Sequence, residues 1–103
     1  MQSITIPHGQ TDSNVLILGH MKISAIFVPP SSPKVKIEVF GSHDGVSFGH
    51  MVINGSGPVQ FDAHVYYPLV FDDGLFDGIQ FFKLVAANPV TADMVFFLAL
   101  TDA

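Results

Sequence analysis

Between Val35 and Phe48 the chain reads Val-Lys-Ile-Glu-Val-Phe-Gly-Ser-His-Asp-Gly-Val-Ser-Phe. No other segment constrains the fold as tightly. From Val35 to Val39 apolar and charged residues alternate, and a period of two marks a strand with one buried face. Ser42, His43, Asp44 and Gly45 supply a turn, and the chain resumes with Val46 and Phe48. Asp-Gly between two such runs is a hairpin signal, because glycine accepts the positive φ that the turn demands. Asp44 and Gly45 are therefore assigned to turn geometry. A β-branched residue at Gly45 is expected to cost about 1–3 kcal/mol of strain.

The rest of the chain repeats this grammar. Ser3 to Ile6 is extended and ends at Pro7, and Val15 to Leu18 is a short apolar strand closed by Gly19. From Met21 to Val28, Met21, Ile23, Ala25 and Phe27 alternate against Lys22 and Ser24. The polar side turns apolar at Ile26 and Val28, so that end is expected to be covered on both faces. Residues 29–34 form a stiff loop around Pro29, Pro30 and Pro33, since proline fixes φ and cannot donate to a ladder. Met51 to Ile53 ends the second arm of the hairpin, and Val59 to Phe61 is a short strand. Val65 to Val70, interrupted by Pro68, reads as an edge or bent strand. Residues 72–78 read as a tight helical turn capped by aspartate. Ile79 to Ala86 and Met94 to Leu100 are the last two long strands. About eight strands with turns every 8 to 12 residues or so describe an all-β antiparallel sandwich or jelly roll. The expected organisation is one domain over residues 1–103, with 1–14 as a possible extended N-terminal arm.

Composition narrows the function. Four lysines and no arginine stand against nine acidic residues, giving a formal net charge of −5. Nucleic-acid binding needs clustered cations to displace counterions from phosphates, and the four lysines are scattered, so no nucleic-acid partner is expected. A basic membrane-surface helix is excluded on the same ground, and no apolar run reaches the length of a membrane span. The first residues lack a basic stretch followed by an apolar one, so no secretory signal is expected. The absence of cysteine rules out disulfides and fits assembly in a reducing cytoplasm. Only 13% of residues are charged while 49% are apolar. A small domain with so few charges is expected to bury apolar surface against partners. The final strands reinforce this, because Phe81 and Phe82, then Phe96 and Phe97, are adjacent pairs that place aromatic rings on both faces. With the flanks of the proline loop, this gives Phe27, Pro29, Pro30, Phe81, Phe82, Phe96 and Phe97 as interface candidates.

No constellation points to catalysis, and no catalytic residue, cofactor or metal is expected. None of the five histidines (His8, His20, His43, His50, His64) forms a helical i, i+4 pair. Asp62 and His64 share a strand face and could hold a metal as a two-ligand clip, although a solvated pair explains them as well. Asp72, Asp73 and Asp77 could form a weak calcium loop, although capping of a short turn accounts for them. Ser42, His43 and Asp44 are too close in sequence for triad geometry. Glu38 is the only glutamate, so paired carboxylates are poorly supported. Tyr66 and Tyr67 could stack a sugar, but with ten phenylalanines and no tryptophan, packing is the better reading.

Four segments in order carry a resemblance. They are residues 5–13 (Thr-Ile-Pro-His-Gly-Gln-Thr-Asp-Ser), 18–26 (Leu-Gly-His-Met-Lys-Ile-Ser-Ala-Ile), 40–48 (Phe-Gly-Ser-His-Asp-Gly-Val-Ser-Phe) and 71–84 (Phe-Asp-Asp-Gly-Leu-Phe-Asp-Gly-Ile-Gln-Phe-Phe-Lys-Leu). Together they resemble the outline of small virion proteins of tailed bacteriophages: head decoration (cement) proteins, head-spike bases and fibre-associated components. Gln80 departs from it, where relatives often carry arginine, and loop 54–64 has no counterpart. The resemblance implies a non-enzymatic structural protein made in the host cytoplasm and carried on the capsid exterior. Its implied partners are the major capsid protein and further copies of itself, as a homotrimer. The alternative is a spike or fibre component, or a glycan- or receptor-binding module.

Overall fold

The structure is a computed structural model that describes residues 1–72 and 74–102. Among these residues there is no helix. Seven strands of four or more residues carry the fold: β1 (Gln2–Ile6), β3 (Met21–Val28), β4 (Val35–Ser42), β8 (Gln60–Ala63), β9 (Tyr67–Val70), β10 (Phe81–Ala86) and β11 (Met94–Asp102). Four two-residue strands complete it: β2 (Leu16–Ile17), β5 (Gly49–His50), β6 (Val52–Ile53) and β7 (Gly57–Pro58).

The strands pair antiparallel throughout. One sheet has the order β1-β11-β3-β9. A second runs β2-β10-β4-β5, with β8 also paired to β4, and β6-β7 is a separate ribbon. The buried side chains of both large sheets form one cluster. It takes Ile4, Ile6, Ile23, Ile26, Val28, Phe96 and Leu98 from the first sheet, and Ile37, Val39, Phe82 and Leu84 from the second. Alternation drives this: along β4, Val35, Ile37 and Val39 are buried while Lys36 is exposed.

Strand β3 corrects the phase read from its sequence. Ile23 pairs with Leu100 and Ala25 with Ala99, which leaves Ser24 without a partner position. Such a bulge shifts the pleat by one residue. Its hydroxyl is held by donation to the Ala99 carbonyl at 3.0 Å. Before the bulge Ile23 points inward. After it Ile26 and Val28 do so, and Ala25 and Phe27 turn outward.

Three further expectations change. Residues 1–14 are not an arm. Ile4 and Ile6 are buried, β1 pairs along five residues of β11, and residues 9–13 lie against β10 and Val90. There Ser13 N–H donates to the Leu84 carbonyl at 2.9 Å and Ala86 N–H to that of Thr11 at 2.7 Å. The hairpin arm does not resume at Val46, because β5 holds only Gly49 and His50, opposite Gly41 and Phe40. Residues 74–78 form successive turns and no helix, with Asp77 N–H donating to the Gly74 carbonyl and Ile79 N–H to that of Phe76. Positive φ at Gly74 and Gly78 breaks a helical run, and the turns insert Phe76 into the core. The proposed calcium loop rests partly on Asp73, which lies outside the described residues. Pro68 behaves as read: β9 is the edge of its sheet.

Candidate interaction surfaces

The outward faces of the two sheets differ in kind. On the second sheet the side chains satisfy one another. Phe40 stacks on His50 with centroids 5.3 Å apart. His50 Nε2 lies 3.1 Å from the Val59 carbonyl, which can only accept, so this nitrogen carries the proton. Its Nδ1 is 4.0 Å from Glu38 Oε2. Lys83 Nζ sits 4.9 Å from the centre of the Phe48 ring and donates to Asp12 Oδ2 at 3.0 Å. That hydrogen bond holds the Asp12 carboxyl below its ordinary value, against a smaller opposing effect of burial. Asp12→Asn is expected to cost less than about 1 kcal/mol by urea unfolding, because half-exposed ion pairs are screened.

The 43–48 loop is built on Asp44. Its Oδ1 accepts N–H from Ser47 at 2.9 Å and Val46 at 2.8 Å, and the Ser42 hydroxyl at 3.0 Å. These donors, led by Ser47, lower its pKa to about 2. They also explain why Val46 leaves the ladder: a side chain already holds its N–H. Ser42 is buried, and its oxygen accepts from the N–H of Asp44 and of Gly45. The sequence placed Ser42 in this turn with His43, Asp44 and Gly45 but did not mark its role, because its serine type looks like any turn residue. Because the folded pKa lies below the unfolded one near 4, Asp44 stabilises the fold fully above pH 4 or so. That contribution fades as the pH falls towards 2. In acid titrations, the stability difference between wild type and Asp44→Asn is expected to shrink over this window. A difference constant with pH would refute it.

This loop also covers Phe81. The Gly45 backbone lies so close that a Cβ there would sit 3.2 Å from the Phe81 ring. The aromatic pair on β10 is thus accounted for within the chain: Phe82 fills the core, fully buried, and Phe81 is half-buried under its own loop. Phe82 and Phe96, expected at an interface, are both fully buried core residues. Pro29 is half-buried and Pro30 exposed. Their loop is fastened to residue 64, where Ser31 N–H donates to the His64 carbonyl at 3.0 Å and His64 Nδ1 lies 3.1 Å from the Ser31 carbonyl. Asp62 instead approaches Lys34 at 3.9 Å, so the two members of the conceivable metal clip have separate partners. Among the described residues no three His, Cys, Asp or Glu side chains gather as a metal site.

The outward face of the first sheet has no such cover. Cross-strand neighbours share a face, and the register places Phe97 beside Phe27 and Phe27 beside Pro68. One step along, Ala99 lies beside Ala25 and Ala25 beside Val70. Val95 lies opposite Thr5 on the same face. Phe97 is 48% exposed, Val95 38% and Val70 74%. Of the interface candidates, Phe27 and Phe97 are therefore brought together, while Phe82 and Phe96 are withdrawn to the core. Tyr66 is exposed, but Tyr67 is half-buried and donates its hydroxyl to the Asp62 carbonyl at 2.8 Å. The tyrosines are consecutive on an extended chain and point to opposite sides, so they do not make one stacking platform. A shallow groove of about 320 Å³, lined by Ser42, His43, Ser47, His50, Met51 and Ile79 over Gly41 and Gly49, is open to solvent. No known protein family, curated protein or solved structure matches this chain.

Proposed function

We propose that this chain is a structural virion protein of a tailed phage, a decoration protein that binds the outer surface of the assembled head and stabilises it. The two sheets sharing one core are read as a β-sandwich of the jelly-roll kind. The protein acts through surfaces and not through catalysis. The observation that carries the proposal is the bare apolar face around Phe27 and Phe97, on a chain whose other aromatic pair is covered internally. A surface of this kind on a small domain is an interaction site. The order of the four resembling segments supplies the class of assembly, and the net charge of −5 suits the outside of a shell, away from packaged DNA.

The mechanism is linkage. A ligand that binds only the assembled shell stabilises that state by mass action, so decoration raises the temperature at which the shell fails. Phage heads lacking this protein are expected to bind it on addition, to carry it through sedimentation and to melt at a higher temperature afterwards. Heads that neither retain the protein nor change their melting temperature would overturn the proposal.

A further inference from the structure

We propose that Asn54 is a site of spontaneous covalent modification, at which the Gly55 amide nitrogen closes on the asparagine side chain and the β6-β7 ribbon ages to aspartate and isoaspartate. Asparagine is among the thermolabile residues, but its ring closure has requirements. The side-chain amide must be free to move and the next backbone N–H free to attack, with no bulky side chain on that next residue. The chain has three asparagines. Asn88 precedes Pro89, which has no N–H. Asn14 precedes the β-branched Val15, and its Oδ1 is held by the Thr5 N–H at 2.9 Å. Asn54 precedes Gly55, and both are exposed. The hydrogen bond of their turn runs past them, from the Ser56 N–H to the Ile53 carbonyl at 2.9 Å. Among the described residues nothing holds the Asn54 side chain or the Gly55 N–H.

The attacking nitrogen and the side-chain carbon must rotate onto each other, so the turn has to open. Its ribbon pairs only Val52 with Pro58 and Ile53 with Gly57, and a lone two-stranded ribbon is marginally stable. None of residues 52–58 belongs to the buried cluster, so opening here costs little. Gly55 has φ +85°, and the space where a Cβ would stand is empty to 4 Å. Asp44-Gly45 is the internal control. There Asp44 Oδ1 accepts three hydrogen bonds, and the Gly45 N–H already donates to the Ser42 oxygen at 2.9 Å. The Asp44 carboxyl, with its pKa lowered to about 2, is also ionised at neutral pH and resists attack. Hydrogen bonds close one of these glycine turns to the reaction and leave the other open.

The reaction needs water alone as co-reactant. The Gly55 nitrogen loses its proton and bonds to Asn54 Cγ. The bond from Cγ to the side-chain nitrogen breaks, and that nitrogen takes up a proton and leaves as ammonia. The five-membered imide then adds one water. Addition at Cγ breaks the new bond and gives aspartate. Addition at the backbone carbonyl carbon breaks the original peptide bond and leaves the chain running through Cγ, as isoaspartate. Either product replaces a neutral amide by a carboxylate, one unit beyond the formal −5. Isoaspartate also lengthens the backbone by one carbon inside the turn, which unpairs the ribbon and leaves the core intact. The inference rests on the ribbon alone, and not on the proposed virion role.

Prolonged incubation of the full chain at physiological temperature, at neutral and mildly alkaline pH, tests this. Intact mass should rise by the difference between a hydroxyl and an amino group, and ion exchange should resolve a more acidic species. Peptide mapping should place the change at Asn54, and an isoaspartyl methyltransferase should label it. The rate should rise with pH, because the attacking nitrogen must lose its proton. Asn54→Gln and Gly55→Val should each abolish this product over the time in which the wild type is half converted. Asn54→Gln keeps the test decisive if valine at the positive φ disturbs the turn. Circular dichroism of the aged chain should be unchanged. In urea, isoaspartate should appear at Asp44 as well, while the rate at Asn54 should stay close to that of the folded chain. An intact Asn54, conversion at Asn14 or Asn88 in its place, indifference to both substitutions, or a fold that protects Asn54 as fully as Asp44 would overturn the proposal.

Discussion

Phe82→Ala is expected to lower the unfolding free energy by about 3–5 kcal/mol, the usual cost of emptying a buried phenylalanine site. Phe82 is fully buried and sits in a chain of perpendicular rings. Its centroid lies 5.8 Å from that of Phe76, which in turn lies 5.1 Å from that of Phe71. The ring joins β10 to the turns around Phe76, so its loss leaves Phe76 facing a void and weakens both elements. Domains of this size are stable by about 5–15 kcal/mol, so the variant is expected to be partly unfolded well below the wild-type melting temperature. Urea unfolding checks the magnitude, and the loss should be independent of protein concentration. Phe97→Ala should instead change monomer stability by less than about 1 kcal/mol, because a half-exposed ring has less to lose. If the two variants proved equally destabilised, the division of the phenylalanines between core and surface would be wrong.

Gly45→Val is expected to cost about 3 kcal/mol or more, from two sources that act together. At φ +79° a β-branched residue is strained, a cost of roughly 1–3 kcal/mol. A Cβ there also meets the Phe81 ring at 3.2 Å, and overpacking adds about 1–3 kcal/mol unless the ring moves aside. Gly45→Ala keeps the strained φ and the close Cβ but omits the valine branches, so it should fall between wild type and valine. Restoring space with Phe81→Leu should recover part of the loss in Gly45→Val and none of the φ strain. That double-mutant comparison, read by denaturant midpoint, separates the two sources. Full additivity would mean that the loop does not rest on Phe81.

The strands were legible where period two held. Val35 to Val39 announced β4, and Pro68 announced an edge, because both signals are local. What escaped the sequence depends on contacts between distant segments. Phe81 and Phe82 look alike in sequence to Phe96 and Phe97: each is an adjacent pair with one ring inward. Only the three-dimensional path of the 43–48 loop distinguishes them, by covering Phe81 and leaving Phe97 bare. Residues 1–14 read as an arm because their few apolar residues are separated by polar ones. Residues 2–6 are held instead by pairing with β11, and residues 9–13 by backbone hydrogen bonds to β10 and Val90, contacts that carry no sequence signature. The role of Ser42 was hidden for a similar reason. Its hydroxyl matters because the site is buried, and burial is a property of the whole fold. At the candidate surface, Phe27 and Phe97 were anticipated as residues, but their pairing with Val70 and Pro68 follows from strand register alone.

Ser24 acts as a frame shift in the pleat. Paired as an ordinary position of the ladder, that one residue would impose unbroken alternation along β3, so that a strand keeping Ile23 inside would bring Ala25 and Phe27 inward and expel Ile26 and Val28. The same amino acids, paired without the bulge, would specify a molecule with its inside and outside exchanged along this strand. A single unpaired residue, pinned by its hydroxyl to Ala99, thus decides which ring serves the protein's own cohesion and which is left available to another molecule.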